Sequence, residues 1–147
     1  MKRSLFAKYR RSAQSPPPTG QTSVVQFVAV AVGAMLGANL RYLVMIWSID
    51  RWGTDFPFGT FIVNVSGAFA IGVILAYLGE RLEISLLWRL FFVTGFLGGY
   101  TTFSTYAWEG LILAEQGDWL RAGAYVLGSN MLGFAGVWLG ATLARLI

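Results

Sequence analysis

The chain has 147 residues, 56% of them hydrophobic and only 12% charged, with a net charge of +4. Soluble domains carry roughly a quarter charged residues, so this is the composition of a membrane protein. It contains neither Cys nor His, which excludes disulfides, Cys/His metal sites and thiol nucleophiles, removes the commonest general base, and leaves little with which to build an enzyme.

In chain order, residues 1–23 read as a disordered tail and residues 24–147 as a membrane domain. The tail carries Lys2, Arg3, Lys8, Arg10 and Arg11 with no acidic residue among them. Ser15-Pro16-Pro17-Pro18-Thr19-Gly20 then forms a stiff polyproline-like spacer. A solvated cytoplasmic tail is the plain reading, and attraction to anionic lipid the next. Nucleic-acid binding is not expected, because no fold presents the charges.

The first membrane segment is expected from Val24 to Trp47, with Arg41 near its far interface and Tyr42 and Trp47 suited to an aromatic belt. A polar loop, Asp50 to Asp55, and Pro57 precede the second segment, Phe58 to Leu78, which carries Asn64. Gly79-Glu80-Arg81-Leu82-Glu83 turns the chain into the third, Leu86 to Leu113, and Glu115-Gln116-Gly117-Asp118 into the fourth, Trp119 to Ile147. Four spans of about 20 residues or more match the thickness of a bilayer core. The fold class is therefore all-α integral membrane, with four transmembrane helices and both ends on one side. Gly33 and Gly37, Gly95 and Gly99, and Gly136 and Gly140 repeat at helical spacing, which lets helices approach closely. Four short helices enclose little volume, so an oligomer is expected.

Outside the tail, Arg81, Arg89 and Arg145 fall on one face of the membrane and Arg41, Arg51 and Arg121 on the other. The positive-inside rule then gives almost no instruction, as befits a protein that inserts both ways round.

The third segment is expected to break near its middle. Gly98-Gly99 followed by Thr101-Thr102 weakens the helix, since Gly is a poor helix former and Thr hydroxyls compete for backbone bonds. A break at membrane depth is tolerated only inside protein or beside water. Opening from Gly98 to Thr101 turns carbonyl oxygens inward, and such carbonyls suit a bare Na⁺. The neighbouring hydroxyls of Thr101, Thr102, Ser104 and Thr105, and the amide of Asn64, suit an anion instead, or else bond to their own helices. Phe103 and Tyr106 share a face and present weakly positive ring edges. Three further readings stay open. Arg41 either snorkels to the interface or fixes positive charge at an aqueous vestibule. Asn64 either joins two helices or lines a pore. Glu109 is either structural or a proton acceptor. Tyr125 and Ser129, four apart, share a face of the fourth helix. Donors and aromatic edges with no titratable ladder suggest a passive path for a small hydrated anion.

Three stretches carry a resemblance: 33–42 (GAMLGANLRY), 59–67 (GTFIVNVSG) and 94–105 (TGFLGGYTTFST). In this order and spacing the chain resembles the CrcB/Fluc fluoride channels over residues 27–147. The resemblance implies an antiparallel, dual-topology homodimer in the cell (inner or plasma) membrane that exports fluoride passively. It implies a Na⁺ cofactor at the dimer interface, held by backbone carbonyls matching Gly98 and Thr101. It places Asn64, Phe103, Ser104, Thr105 and Tyr106 along the fluoride path, with Arg41 at a vestibule and Tyr125 and Ser129 near the pore; Glu109, one turn past the break, is a further pore-adjacent candidate on its position alone. Members of the family usually have Phe where Tyr106 stands. The basic tail is also long for the family, and a tail that fixed the insertion would call for a partner subunit of opposite topology. The competing reading is a four-helix dual-topology antiporter of small solutes; it wants a carboxylate deep in the first helix, where none occurs.

Overall fold

The computed structural model describes residues 23–81 and 85–146, so the tail before Ser23, the Leu82-Glu83 part of the turn and Ile147 lie outside the described residues. Among the described residues the secondary structure is entirely helical. Helix α1 is Val24–Trp52, capped by Ser23, whose hydroxyl accepts the Val25 amide at 3.1 Å. The helix runs five residues past the expected Trp47, so Asp50 to Trp52 are helical and not loop. It stops where Gly53 takes φ 75° and returns its amide to Ile49 O at 2.8 Å, a positive-φ C-terminal stop that favours glycine. Helix α2, Phe58–Arg81, begins directly after Pro57, which has no amide to lose at a helix start.

The third crossing is made in two pieces. Leu86–Arg89 leads into a π-wound stretch, Leu90–Leu97, and then Gly98–Tyr100; these form α3 (86–100). Thr101 and Thr102 are extended, and α4 follows as Phe103–Glu115. Gly117, at φ 79°, closes α4, with its amide on Ala114 O and the Asp118 amide on Leu113 O. Helix α5, Trp119–Leu146, starts under Asp118, whose carboxylate accepts the Arg121 amide at 3.0 Å.

Packing is arranged in two close helix pairs. Helix α1 lies on α3, and α2 lies on α5, while α4 rests against α5 and touches α2. Glycine makes both pairs possible. A Cβ on Gly33 or Gly37 would collide with the carbonyl oxygens of Phe91 or Phe96, and one on Gly140 with that of Phe69. These helices meet backbone to backbone, as small-residue faces allow in a membrane. The outside is correspondingly apolar: Leu120, Phe134 and Met131 are all highly exposed, which is tolerable only in lipid. Helices Val24–Trp52 and Trp119–Leu146, and the Phe58–Tyr77 stretch of α2, are long and apolar enough to cross a membrane. Neither α3 nor α4 reaches the roughly 20 residues of a span alone, but end to end they do. The chain is a helical membrane protein.

Candidate functional site: a broken helix and the polar row behind it

The expected break is present, but it opens one turn later than glycine content implies. Gly98 and Gly99 stay helical, and the backbone leaves the helix at Thr101 (φ −87°, ψ 159°) and Thr102 (φ −150°, ψ 117°). The reason lies in what each residue touches. A Cβ on Gly99 would run into the backbone of Ala34, within 3.1 Å of its Cα and carbonyl carbon, so this glycine serves helix contact and not flexibility. Asn64, reaching across from α2, does the opening. Its Oδ1 accepts the Thr102 amide at 2.8 Å and its Nδ2 donates to the Thr102 carbonyl at 3.0 Å. One side-chain amide thereby satisfies both backbone groups of one residue, as a neighbouring strand would. At membrane depth an unmatched amide or carbonyl is expensive, so Asn64 is what makes the break affordable.

Around that clamp the local bonds fall into place. Thr101 bends back, with both its amide and its hydroxyl on Leu97 O at 3.0 Å. Thr102 caps α4: its hydroxyl accepts the Thr105 amide at 3.4 Å and donates to the Thr105 hydroxyl at 3.0 Å. Arg41 sits half-buried on α1 with Nε on Gly99 O at 3.0 Å, a cation against the carbonyl end of α3, where the helix dipole favours positive charge. The last turn of α3 leaves its carbonyls without the usual i+4 amides, and Gly98 and Thr101 are among the residues affected. The i+4 amide for Gly98 O belongs to Thr102, which is given to Asn64; that for Thr101 O belongs to Thr105, which is given to the cap. Those are the two oxygens singled out for a Na⁺, and hard carbonyl oxygens are the donor chemistry such an ion requires.

One turn on, the ring of Phe103 is 80% exposed, projecting from the single chain. The Tyr106 ring lies 5.7 Å from it, and 5.2 Å from the Tyr125 ring on α5. Tyr125 in turn is fully buried and its hydroxyl donates to Glu109 Oε2 at 2.7 Å. Thr60, 1% exposed, donates to Glu109 Oε1 at 3.0 Å. Both oxygens of the Glu109 carboxylate are thus held by neutral hydroxyls. Ser129, one turn from Tyr125 and 9% exposed, is different: among the described residues its Oγ is the one buried side-chain oxygen with no hydrogen-bond partner. Outward from Glu109 lies a cavity of ≈ 480 Å³ walled by Ser48, Thr54, Thr60, Gln116 and Arg121 among others. Arg121 at its rim pairs with Asp118 at 3.3 Å.

The structure therefore brings Asn64, Thr101 and Thr105 together at the break, and Tyr106, Tyr125 and Glu109 into a second cluster behind it. Arg41 joins the first group and does not line the cavity. Ser104, next to Thr105 at the start of α4, is exposed. Two polar residues escaped the sequence reading. Thr60 had a readable signal, since it stands four residues before Asn64 on the same helix and shares its face. Asn130, which donates to the Tyr106 hydroxyl at 2.7 Å, had none, because its bond depends on how α4 leans on α5.

A helical membrane protein with one segment opened between α3 and α4, and buried hydrogen-bonding groups beside the opening, has the features of a membrane transport protein. The chain is a member of the CrcB family: the model for CrcB-like protein, Camphor Resistance (CrcB), matches residues 28–141. It is 53% identical over 123 residues to the fluoride-specific ion channel FluC of Roseiflexus sp. (strain RS-1), spanning 84% of this chain and 99% of that protein. It is 46% identical over 118 residues to the protein of that name from Chloroflexus aurantiacus (strain ATCC 29366 / DSM 635 / J-10-fl), spanning 80% and 94%. With that of Solibacter usitatus (strain Ellin6076) it shares 47% over 121 residues, spanning 82% and 99%.

Proposed function

We propose that the chain is a fluoride-selective channel which lets fluoride leave the cell passively, working as an antiparallel, dual-topology homodimer in the cell membrane. The observation that carries this is the way Glu109 is held. The half-buried Glu109 carboxylate, held by Thr60 and Tyr125, is itself a small anion, and the two hydroxyls that donate to it form a ready-made anion site. If Glu109 turns toward the cavity, its two donors are offered to an entering anion of similar hardness. Fluoride is the strongest hydrogen-bond acceptor among the halides and the smallest, so hydroxyl donors at this spacing favour it over chloride. Ser129 then supplies a donor that no described residue uses.

The named relatives are channels, which agrees with the expected absence of enzymatic activity. The exposed Phe103 ring supports a second copy, since it would place its edge against a partner's path. Balanced arginines outside the tail support opposite insertion of the two copies. A Na⁺ at the joint would supply fixed positive charge between the copies, held by the Gly98 and Thr101 carbonyls of each; that the helix ends at Tyr100 and leaves carbonyls of its last turn without helical amides supports this. The antiporter reading is less well supported, because α1 carries no carboxylate at depth.

Liposomes loaded with KF or KCl test the reading. The reconstituted protein is expected to release fluoride and retain chloride; equal release of both ions, or of neither, would overturn it. Ser129→Ala separates transport from stability. Removing a buried hydroxyl with no partner relieves a desolvation cost of about 1–3 kcal/mol, so the melting temperature in detergent should hold or rise. Fluoride efflux should nevertheless fall, by roughly tenfold for a lost donor of that worth.

A further inference from the structure

We propose that Asn130 is the positioning residue for Tyr106, tying the first turn of α4 to α5 so that the aromatic ring stays aligned along the anion path. A phenol at membrane depth needs partners for its hydroxyl, and this one has a built set. Asn130 Nδ2 donates to the Tyr106 hydroxyl at 2.7 Å and to Val126 O at 2.7 Å, and the Tyr106 hydroxyl donates to Val126 O at 3.3 Å. Three groups on two helices thus close a small ring of bonds around one phenol.

The strut matters because of where α4 sits. Behind it the chain has just left the helix at Thr101 and Thr102, so α3 transmits no rigid hold across the break. Helix α4 has few neighbours besides α5. The Tyr106 ring stands between the Phe103 ring on one side and the Tyr125 ring on the other, and Tyr125 is the donor to Glu109. A tether at the tip of Tyr106 therefore sets the distance between the aromatic edge and the buried polar row. The hydroxyl is what distinguishes Tyr106 from the family's usual Phe. Its proton is given to Val126 O and its oxygen occupied by Asn130, so its work is structural alignment. A Phe at position 106 would leave Asn130 with only its own helix to bond.

This inference rests on the fluoride-channel reading, and the test separates the two. Asn130→Leu, Tyr106→Phe and the double variant are each reconstituted, with Asn130→Ala as a second probe should Leu impair folding. Tyrosine hydrogen bonding is followed independently by UV resonance Raman of the purified proteins. Each single variant is expected to slow fluoride efflux roughly fivefold, the rate equivalent of one ordinary hydrogen bond, while still excluding chloride. The double variant should be no slower than Tyr106→Phe alone, because the two residues act as one unit. Asn130→Leu should change the tyrosine Fermi doublet in the Tyr106 protein and not in the Tyr106→Phe protein. Equal slowing in both backgrounds, or an unchanged Raman signal, would overturn the proposal. A wild-type protein that releases no fluoride would overturn the channel reading, and with it the transport role of the strut, whatever the Raman result.

Discussion

Asn64→Leu is expected to reduce fluoride efflux by roughly a hundredfold or more. The substitution keeps the branched shape, in a somewhat larger side chain, and strips both bonds that hold the open backbone at Thr102. Each buried group left unmatched costs about 1–3 kcal/mol, so two together are worth roughly 2–6 kcal/mol. The chain can escape that cost only by closing the break into a continuous helix or by letting water in. Either outcome displaces Phe103 and Tyr106, and each 1.4 kcal/mol of misalignment energy is about tenfold in rate. Asn64→Asp is the informative companion. It keeps an acceptor for the Thr102 amide and loses the donor to the Thr102 carbonyl, so its efflux should fall between wild type and Asn64→Leu. Efflux from Asn64→Leu liposomes at the wild-type rate, with the protein eluting normally on size exclusion, would show that the clamp is not needed.

Gly37→Ala should be as damaging to stability as Asn64→Leu is to transport. A Cβ at this position would be driven into the Phe96 carbonyl oxygen and lie 2.9 Å from the Tyr100 amide nitrogen. Both obstacles are backbone atoms of α3, which cannot rotate aside as a side chain can. Overpacking of this kind costs typically about 1–3 kcal/mol. Here the contact also sits just before the break, so pushing α1 away would carry Arg41 off the Gly99 carbonyl. The expected result is a lower melting temperature in detergent and little properly eluting protein. Gly123→Ala is the control: nothing lies within 4 Å of a Cβ there, and alanine is the better helix former by up to about 1 kcal/mol. A melt in which both variants match wild type would show that the α1–α3 contact is looser than its geometry.

How much of this was legible beforehand differs from residue to residue. The four crossings, their order and the two-piece third segment follow from apolar runs of about bilayer length and from a Gly-Gly/Thr-Thr pair in one of them. That the third segment is interrupted, and that Phe103 and Tyr106 share a face, were predictable because both signals come from residues close in sequence. The π-winding of Leu90–Leu97 was not, since no residue type demands an i+5 hydrogen bond. Nor was the true cause of the break. Glycine composition pointed to Gly98, but Gly99 is spent on close approach to Ala34, and the opening is made by an asparagine 38 residues away in sequence.

The site divides along the same line. Sequence alone determined that Asn64, Glu109, Tyr125 and Ser129 are polar groups stranded at membrane depth, because hydropathy and helical spacing are local properties and each such group must find a partner or water. Only the tertiary structure decided which partner each one takes: Asn64 the Thr102 backbone, Glu109 the hydroxyls of Thr60 and Tyr125, Tyr106 the amide of Asn130, and Ser129 none. Those pairings are set by the rotation of each helix about its axis and by how closely glycine lets the backbones meet. A rotation of one residue, about 100°, would turn any of these groups away from its partner, and hydropathy alone does not specify that angle.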